Sequence, residues 1–434
     1  VIRIIVFNFS FLLAGFALAG SVFPYTPQSV NDSSGKVLRW DSKEIVVSIS
    51  NSEMDTISYG VFEAIVKESF GKWAIESDLR IRFEQVSKTN VSTRKSGGDG
   101  VSLVTVAPTS ENLLLFGERK TSVSAITRLF FDASGRITEA DIVLNPTARF
   151  TTDGSPGSFD LEATLTHEAG HFLGLGHSGI VGATMHRHQG KNGTFALPAI
   201  YSRTLSSDDR AGIRFLYGSG TKLGERFGSL EGRLVEAQPA GLDLTGAHVW
   251  IESSVTGEVI AGIETDKMGR FSIPWVPVGT YRLIAAGRNG AFLSAQERDV
   301  VVVSRKISRE EILVGANPRS ERIRSYGFNG QIANIAIPLE AGHSYLIFVS
   351  GKDLDPERIR FECTSPAISV DSLTLARHYA RNGQDVLSFE VNLSPGTANG
   401  EYSFRVYEGE KLISYLPGVV TVGVIKNPWY SALF

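Results

Sequence analysis

The stretch THEAGHFLGLGHS, Thr166 to Ser178, decides how the first half of this chain folds. His167 and His171 are four residues apart, so on a helix their imidazoles share one face, one turn apart. Glu168 sits beside the first of them. Gly174 lacks a Cβ and can take the backbone conformation that ends a helix in a sharp turn. That turn brings His177 back toward the other two histidines. The plain alternative is a buried helix that carries histidines by chance. It leaves the glutamate, the glycine and the third histidine at this spacing unexplained.

Three neutral imidazoles suit one tetrahedral metal ion with an open fourth position, the arrangement of a catalytic rather than a structural site. Zinc in such a site lowers the pKa of a bound water from ~15.7 to ~7. Glu168 is placed to reach that water without being a ligand, to take its proton as general base and to pass it to a leaving amine.

Outward from this stretch, the pattern is of strands followed by helices. KEIVVSIS (43–50), LRIRFEQV (79–86) and VSLVTVAP (101–108) read as strands. Ile57, Val61, Ile65, Phe70 and Trp73 recur at helical spacing within Thr56–Ser77. SVSAITRLFFD (122–132) and RITEADIVLN (136–145) flank Ala133-Ser134-Gly135, a hairpin signal. Asp160 is placed to cap a helix that runs through His171 and stops at Gly174. LSSDDRAGIRFLYG (205–218) reads as a last helix, with Ser206 as N-cap and Asp208 and Asp209 in its first turn. Strands and then helices around one site predict an α+β domain over 36–220.

After Gly218 short strands are separated by Gly, Pro, Asp and Asn, with no convincing helix. Two all-β sandwich domains are predicted, over 221–316 and 317–434. A chain of 434 residues fits this division into several domains. The formal net charge of −3 gives no reason to expect nucleic acid or an anionic membrane as partner. A single cysteine, Cys363, excludes an intrachain disulfide framework and reads as a small buried apolar residue.

The first residues read as a signal peptide over 1–20. Arg3 is the positive region, Ile4 to Phe16 the apolar run, and Ala17-Leu18-Ala19 the cleavage signal. Residues 21–35 then form a flexible lead-in rich in Ser, Pro and Asn. No later segment is apolar enough to span a bilayer, so the expected mature protein is secreted, with possible association with a cell surface.

The run from His167 to His177 resembles the metzincin (zincin-like) signature, and Leu173-Gly174-Leu175 with Ser178 is similar to its matrixin branch, the matrix-metalloproteinase-like peptidases. Ala183-Thr184-Met185 stands where that family has its Met-turn beneath the zinc. Asp208, Asp209, Gly212-Ile213 and Leu216-Tyr217-Gly218 resemble its final helix, and Arg39-Trp40 and Trp73 its first strand and helix. The resemblance covers about 36–218. It implies a secreted zinc endopeptidase with His167, His171 and His177 as ligands, Glu168 as base and Met185 as support. It also implies that Asp208 or Asp209 is buried against the Met-turn. An edge strand near 122–131 would pair with an extended protein or peptide substrate, through Ala125, Ile126, Thr127 and Arg128. The loop 186–204 would wall the specificity pocket just past the scissile bond. His186 and His188 read as exposed loop residues, since three ligands are already present.

The chain departs from the family in three ways. No cysteine precedes the motif, so latency through a propeptide cysteine is not expected. No histidine precedes His167, so the family's second, His-bound zinc has no usual ligands. Calcium remains possible, but Asp99, Asp132, Asp141 and Asp153 make no clear loop for it. Arg187 stands two residues after the methionine, where astacins and serralysins have a tyrosine.

Asp266, Gly269, Phe271, Gly279 and Tyr281 resemble a carboxypeptidase-regulatory-like or Cna-B-like sandwich. SYLIFVSG (344–351) and YSFRV (402–406) resemble an immunoglobulin-like domain of the IPT/TIG kind. These would bind a surface or matrix ligand, or serve as spacers. A competing reading of the whole chain is a surface adhesion or carbohydrate-binding protein with a vestigial peptidase domain. The intact Glu168 argues against it.

Overall fold

A computed structural model describes residues 3–6, 37–54, 57–93, 97–119, 122–218, 225–318, 323–379 and 384–423. Most of the expected signal peptide and lead-in lies outside them. The first half is built on one sheet of β1 (Arg3–Val6), β2 (Glu44–Ser50), β3 (Arg80–Val86), β4 (Leu103–Thr105), β5 (Ala125–Phe131) and β6 (Ile137–Leu144). The order is β1-β5-β6-β4-β2-β3, with β5 antiparallel to β6 and β6, β4, β2 and β3 mutually parallel. β1 runs antiparallel along the outer edge of β5.

Helix α1 (Tyr59–Ile75) lies on this sheet. Its buried stripe is Phe62, Val66, Phe70 and Trp73. This corrects the expected stripe by one residue near the start, since Val61 is 45% exposed. The helix settles so that its larger aromatic and Val66 side chains meet the core. The short α2 (Ser110–Leu114) was not expected from the sequence. Strands β7 (Phe150–Thr151) and β8 (Phe159–Asp160) pair in parallel and lead into α3 (Leu161–Phe172), and α4 (Ser207–Tyr217) follows.

α3 is fastened at several points. Asp160 caps it by accepting from Ala163 N at 2.9 Å. Trp73 Nε1 donates to Thr166 O, and Phe70 meets Phe172 edge-on. Trp40 stacks on Phe172 and donates to its carbonyl, while Tyr217 OH donates to Leu173 O. The last two bonds satisfy carbonyls that the end of a helix leaves without partners.

The following strands are β9 (Phe227–Glu236), β10 (His248–Ser253), β11 (Val259–Glu264), β12 (Arg270–Pro277), β13 (Gly279–Ala286), β14 (Phe292–Ser294), β15 (Arg298–Val302) and β16 (Ile307–Ala316). They form one continuous eight-stranded sheet, where two separate facing sheets were expected. β16 is the reason: it pairs with β14 on one side and, in parallel, with β9 on the other.

The last strands are β17 (Ile323–Phe328), β18 (Gln331–Ala333), β19 (Ile337–Leu339), β20 (Ser344–Gly351), β21 (Ile359–Cys363), β22 (Ile368–Tyr379), β23 (Asp385–Leu393), β24 (Gly400–Glu408) and β25 (Lys411–Val422). They make a five-stranded sheet, β18-β17-β20-β23-β22, and a four-stranded sheet, β19-β25-β24-β21. The two share one core, in which Phe361 of β21 stacks on Phe389 of β23 at 4.3 Å between centroids. Cys363 is buried there, which pushes its thiol up to about 12.

The β-rich parts are packed against the first half rather than strung after it. Ile180 and Ala183 share an apolar cluster with Trp250, Val259, Ile284, Leu293 and Tyr415. Val181 N donates to Pro417 O at 3.0 Å. Among the described residues no helix is long and apolar enough to cross a membrane.

Candidate metal centre

α3 brings His167 and His171 onto one face, and a tight turn returns His177 to them. The turn is a Schellman motif: Gly174 N donates to His171 O and Leu175 N to Gly170 O, both at 2.9 Å. Gly174 has φ +96°, and a Cβ there would stand 2.4 Å from Leu38 O. Only glycine meets both demands.

The three rings converge, with one candidate ligand atom from each lying within 4.8 Å of the others. His167 Nδ1 faces Thr184 O at 2.7 Å, and His171 Nδ1 faces Leu175 O at 2.8 Å. A carbonyl only accepts, so each Nδ1 carries the proton and each Nε2 offers a bare lone pair. His171 Nε2 and His177 Nε2 stand 3.2 Å apart. Two ligands of a tetrahedral zinc at ordinary bond lengths are about 3.3 Å apart. The donor set therefore fits such an ion. Burial lowers His167 to about 4, and burial with smaller repulsion from neighbouring rings lowers His171 to about 3 and holds His177 well below the usual range. All three are neutral at physiological pH, as ligands must be.

Glu168 is 5% exposed and accepts from Thr127 Oγ1 at 2.5 Å. Burial pushes its carboxyl up to about 7, against the Thr127 hydroxyl, which pulls it down. A carboxyl so poised can take and return a proton near neutrality.

Met185 lies 2% exposed under α3. A Cβ on Gly170 would fall 2.3 Å from its Sδ, so the sulfur fills the space that this glycine leaves between the two helical histidines. The sequence reading gave Gly170 no role; its position between His167 and His171 was the only signal. Both acidic residues of α4 are buried beneath the methionine. Asp209 accepts from Thr184 N at 2.7 Å and Met185 N at 3.0 Å, and completes a capping box with Ser206. Asp208 accepts from Ser178 Oγ at 2.6 Å and from Gly262 N, across the boundary with β11, at 2.7 Å.

Ala125, Ile126, Thr127 and Arg128 all lie in β5, with side chains at most 7% exposed. Ile126 packs with Val91, Leu103, Phe116, Val123 and Val143, away from the histidines. Arg128 donates to Ser92 O. Thr127 faces the centre, bonded to Glu168, a role that strand position alone did not disclose. The outer main-chain edge of Arg128 to Phe131 is paired with Arg3–Val6. His186 and His188 are half-buried, correcting the expectation of exposed side chains. The cause for His186 is a distant segment, whose Asn334 O lies 3.3 Å from its Nε2.

Comparison with known proteins agrees with this geometry in kind. Residues 109–218 match the matrixin family, and the chain carries a matrixin-like domain there. It is 27% identical over 197 residues to Metalloendoproteinase 1-MMP of Arabidopsis thaliana, covering 43% of this chain and 46% of that protein. Metalloendoproteinase 1 of Glycine max is 45% identical over 65 residues, which are 14% of this chain and 18% of that protein. Matrilysin of Rattus norvegicus is 37% identical over 75 residues, 17% of this chain and 26% of that one. The chain thus spans less than half the length of these curated relatives.

Proposed function

We propose that this chain is a secreted zinc-dependent endopeptidase. His167, His171 and His177 hold the ion, Glu168 is the general base, and Met185 with Asp209 forms the bed beneath them. The observation that carries this reading is the convergence of three buried, neutral imidazole rings beside one buried carboxylate. Zinc held there supplies a Lewis acid for the scissile carbonyl and an acidified water. Glu168 receives the proton of the attacking water and gives it to the departing amine. Thr127 holds the Glu168 carboxylate toward the reacting face. The main chain of β5 offers its outer edge to an extended substrate once residues 1–20 are removed as a leader. The domains are assigned as 36–220 for catalysis, with β units over 221–316 and 317–434.

The test is cleavage of casein and of a mixed peptide library by the purified chain. It is run with and without chelator, with zinc restored, and beside Glu168→Ala. Cleavage that chelator abolishes, zinc restores and the variant lacks is the expected result. A folded chain that binds no zinc would sink the reading.

A further inference from the structure

The loop 186–204 leaves the metal centre directly. Its first residue follows Met185, and Thr184 O is the partner of His167 Nδ1. It then passes the start of β5, where Ser124 Oγ reaches Gln189 Oε1 at 3.4 Å. The loop therefore leads from the segment beside the histidines to the start of the strand proposed to align substrate. One part of it is fixed by the first half of the chain: Asn192 N donates to Ser158 O at 2.9 Å and its Nδ2 to Ser158 Oγ at 3.0 Å, and Arg203 pairs with Asp160.

The part between these anchors is held from elsewhere. Phe195 and Ala196 have φ of 59° and 56°, two successive left-handed residues that both carry a Cβ. That conformation is disfavoured for such residues and persists only where the surroundings impose it. Here they are imposed by the hairpin between β17 and β18. Its tip, Asn329-Gly330, has φ of 49° and 73°, the pattern of a two-residue type I′ turn. Asn329 Nδ2 donates to Phe195 O at 2.8 Å, and Phe195 N donates to Gln331 Oε1 at 2.9 Å. The Phe195 ring is 1% exposed, edge-on to Phe328 and within the core of the last two sheets. Gly190 sits so close to Ile335 that a Cβ would fall 2.6 Å from its Cδ1.

We infer that Asn329 and Gln331 are specificity-determining residues: by gripping Phe195 they set the shape of the 186–204 wall, and with it the side chain accepted just past the scissile bond. This rests on the endopeptidase reading. The C-terminal hairpin is on this view part of the substrate pocket's frame. Among the described residues none of its hydrogen bonds reaches His167, His171 or His177, so its loss changes which bond is cut more than whether zinc is held.

The experiment compares the full wild-type chain with Asn329→Ala/Gln331→Met. Bound zinc is measured, together with kcat/KM over peptides that vary only in the residue after the cut. Two hydrogen bonds toward the lower end of ordinary net strength correspond to about tenfold in the population of the gripped loop. The expected result is unchanged zinc content and a best-to-worst preference ratio that falls by about tenfold. Faster amide exchange at Phe195 should accompany it. An unchanged preference profile with native zinc content overturns the inference. If the double variant does not fold, Gln331→Glu and Gln331→Met decide. Glu keeps the acceptor for Phe195 N, losing only the longer bond from Gln331 Nε2 to Gly193 O at 3.4 Å, and should stay nearer the wild-type profile than Met; identical profiles for Glu and Met overturn the inference. A wild-type chain that binds zinc yet cuts no peptide overturns the endopeptidase reading and this inference with it.

Discussion

Replacing Thr127 by valine keeps the shape of the side chain and removes one hydroxyl. That hydroxyl is 2.5 Å from Glu168 Oε2, and both residues are about 5% exposed. A hydrogen bond to a buried charged group contributes about 1.5–3 kcal/mol. It acts on the ionised carboxylate, so its loss disfavours the form that serves as base. Burial already holds Glu168 up to about 7. Without the hydroxyl its carboxyl moves further up, and the acid limb of kcat/KM moves to higher pH. At 1.36 kcal/mol per tenfold, the loss at pH 6 is about tenfold or more. Toward pH 9.5 the base becomes increasingly ionised in both proteins and the difference narrows. Thr127→Ser keeps the donor and should keep the wild-type profile. The assay is kcat/KM on one peptide from pH 5.5 to 9.5 for the three proteins, each with its zinc content measured. A loss of equal size at every pH, or none at pH 6, would refute the reasoning.

Asp209→Ala strands the buried amides of Thr184 and Met185, which lose their acceptor. It should cost about 2–4 kcal/mol in urea unfolding and weaken zinc retention; a change under 0.5 kcal/mol, an order-of-magnitude bound set by ordinary surface substitutions, would contradict it. Gly174→Ala forces a Cβ against Leu38 O at φ +96° and should both lower the melting temperature and release zinc, read by metal analysis. Burial pushes Asp208 up to about 7 and Glu401 up to about 8, the latter also through Asp209, Glu258 and Asp208. Their folded pKa values exceed the unfolded ones of about 4, so the stability from their bound protons is lost as pH rises through 7–8. Melting temperature should therefore fall between pH 7 and 9, where histidines no longer titrate, and Glu401→Gln should flatten the slope; equal slopes would be the contrary result.

The convergence of His167, His171 and His177 was legible because these residues are close in sequence. A helix face, a Schellman glycine and a returning histidine are local geometry, and local geometry is written in spacing. Ser206 as cap and Asp160 as cap were legible for the same reason. The phase of α1 was not, since Val61 and Phe62 are both apolar and only packing against α3 chooses between them. Nor was Thr127 at Glu168, which depends on how β5 passes under α3. What escaped most completely were contacts between distant segments. Nothing near His186 in the chain announces Asn334, and nothing near Phe195 announces Asn329. Phe328-Asn329-Gly330-Gln331 carries a hairpin signal of its own, but the object it grips lies far upstream.

The bond from Val181 N to Pro417 O also bears on how the protein is made. A chain emerges N-terminus first, so the three histidines leave the ribosome well before β25, which carries Tyr415 and Pro417. Until β25 docks, Ile180 lacks Tyr415 as a neighbour and the backbone of Val181 lacks its acceptor. The segment just past His177 thereby finds these partners only after β25 has been made. A chain cut before β25 leaves Ile180 and Val181, a few residues past His177, without those partners.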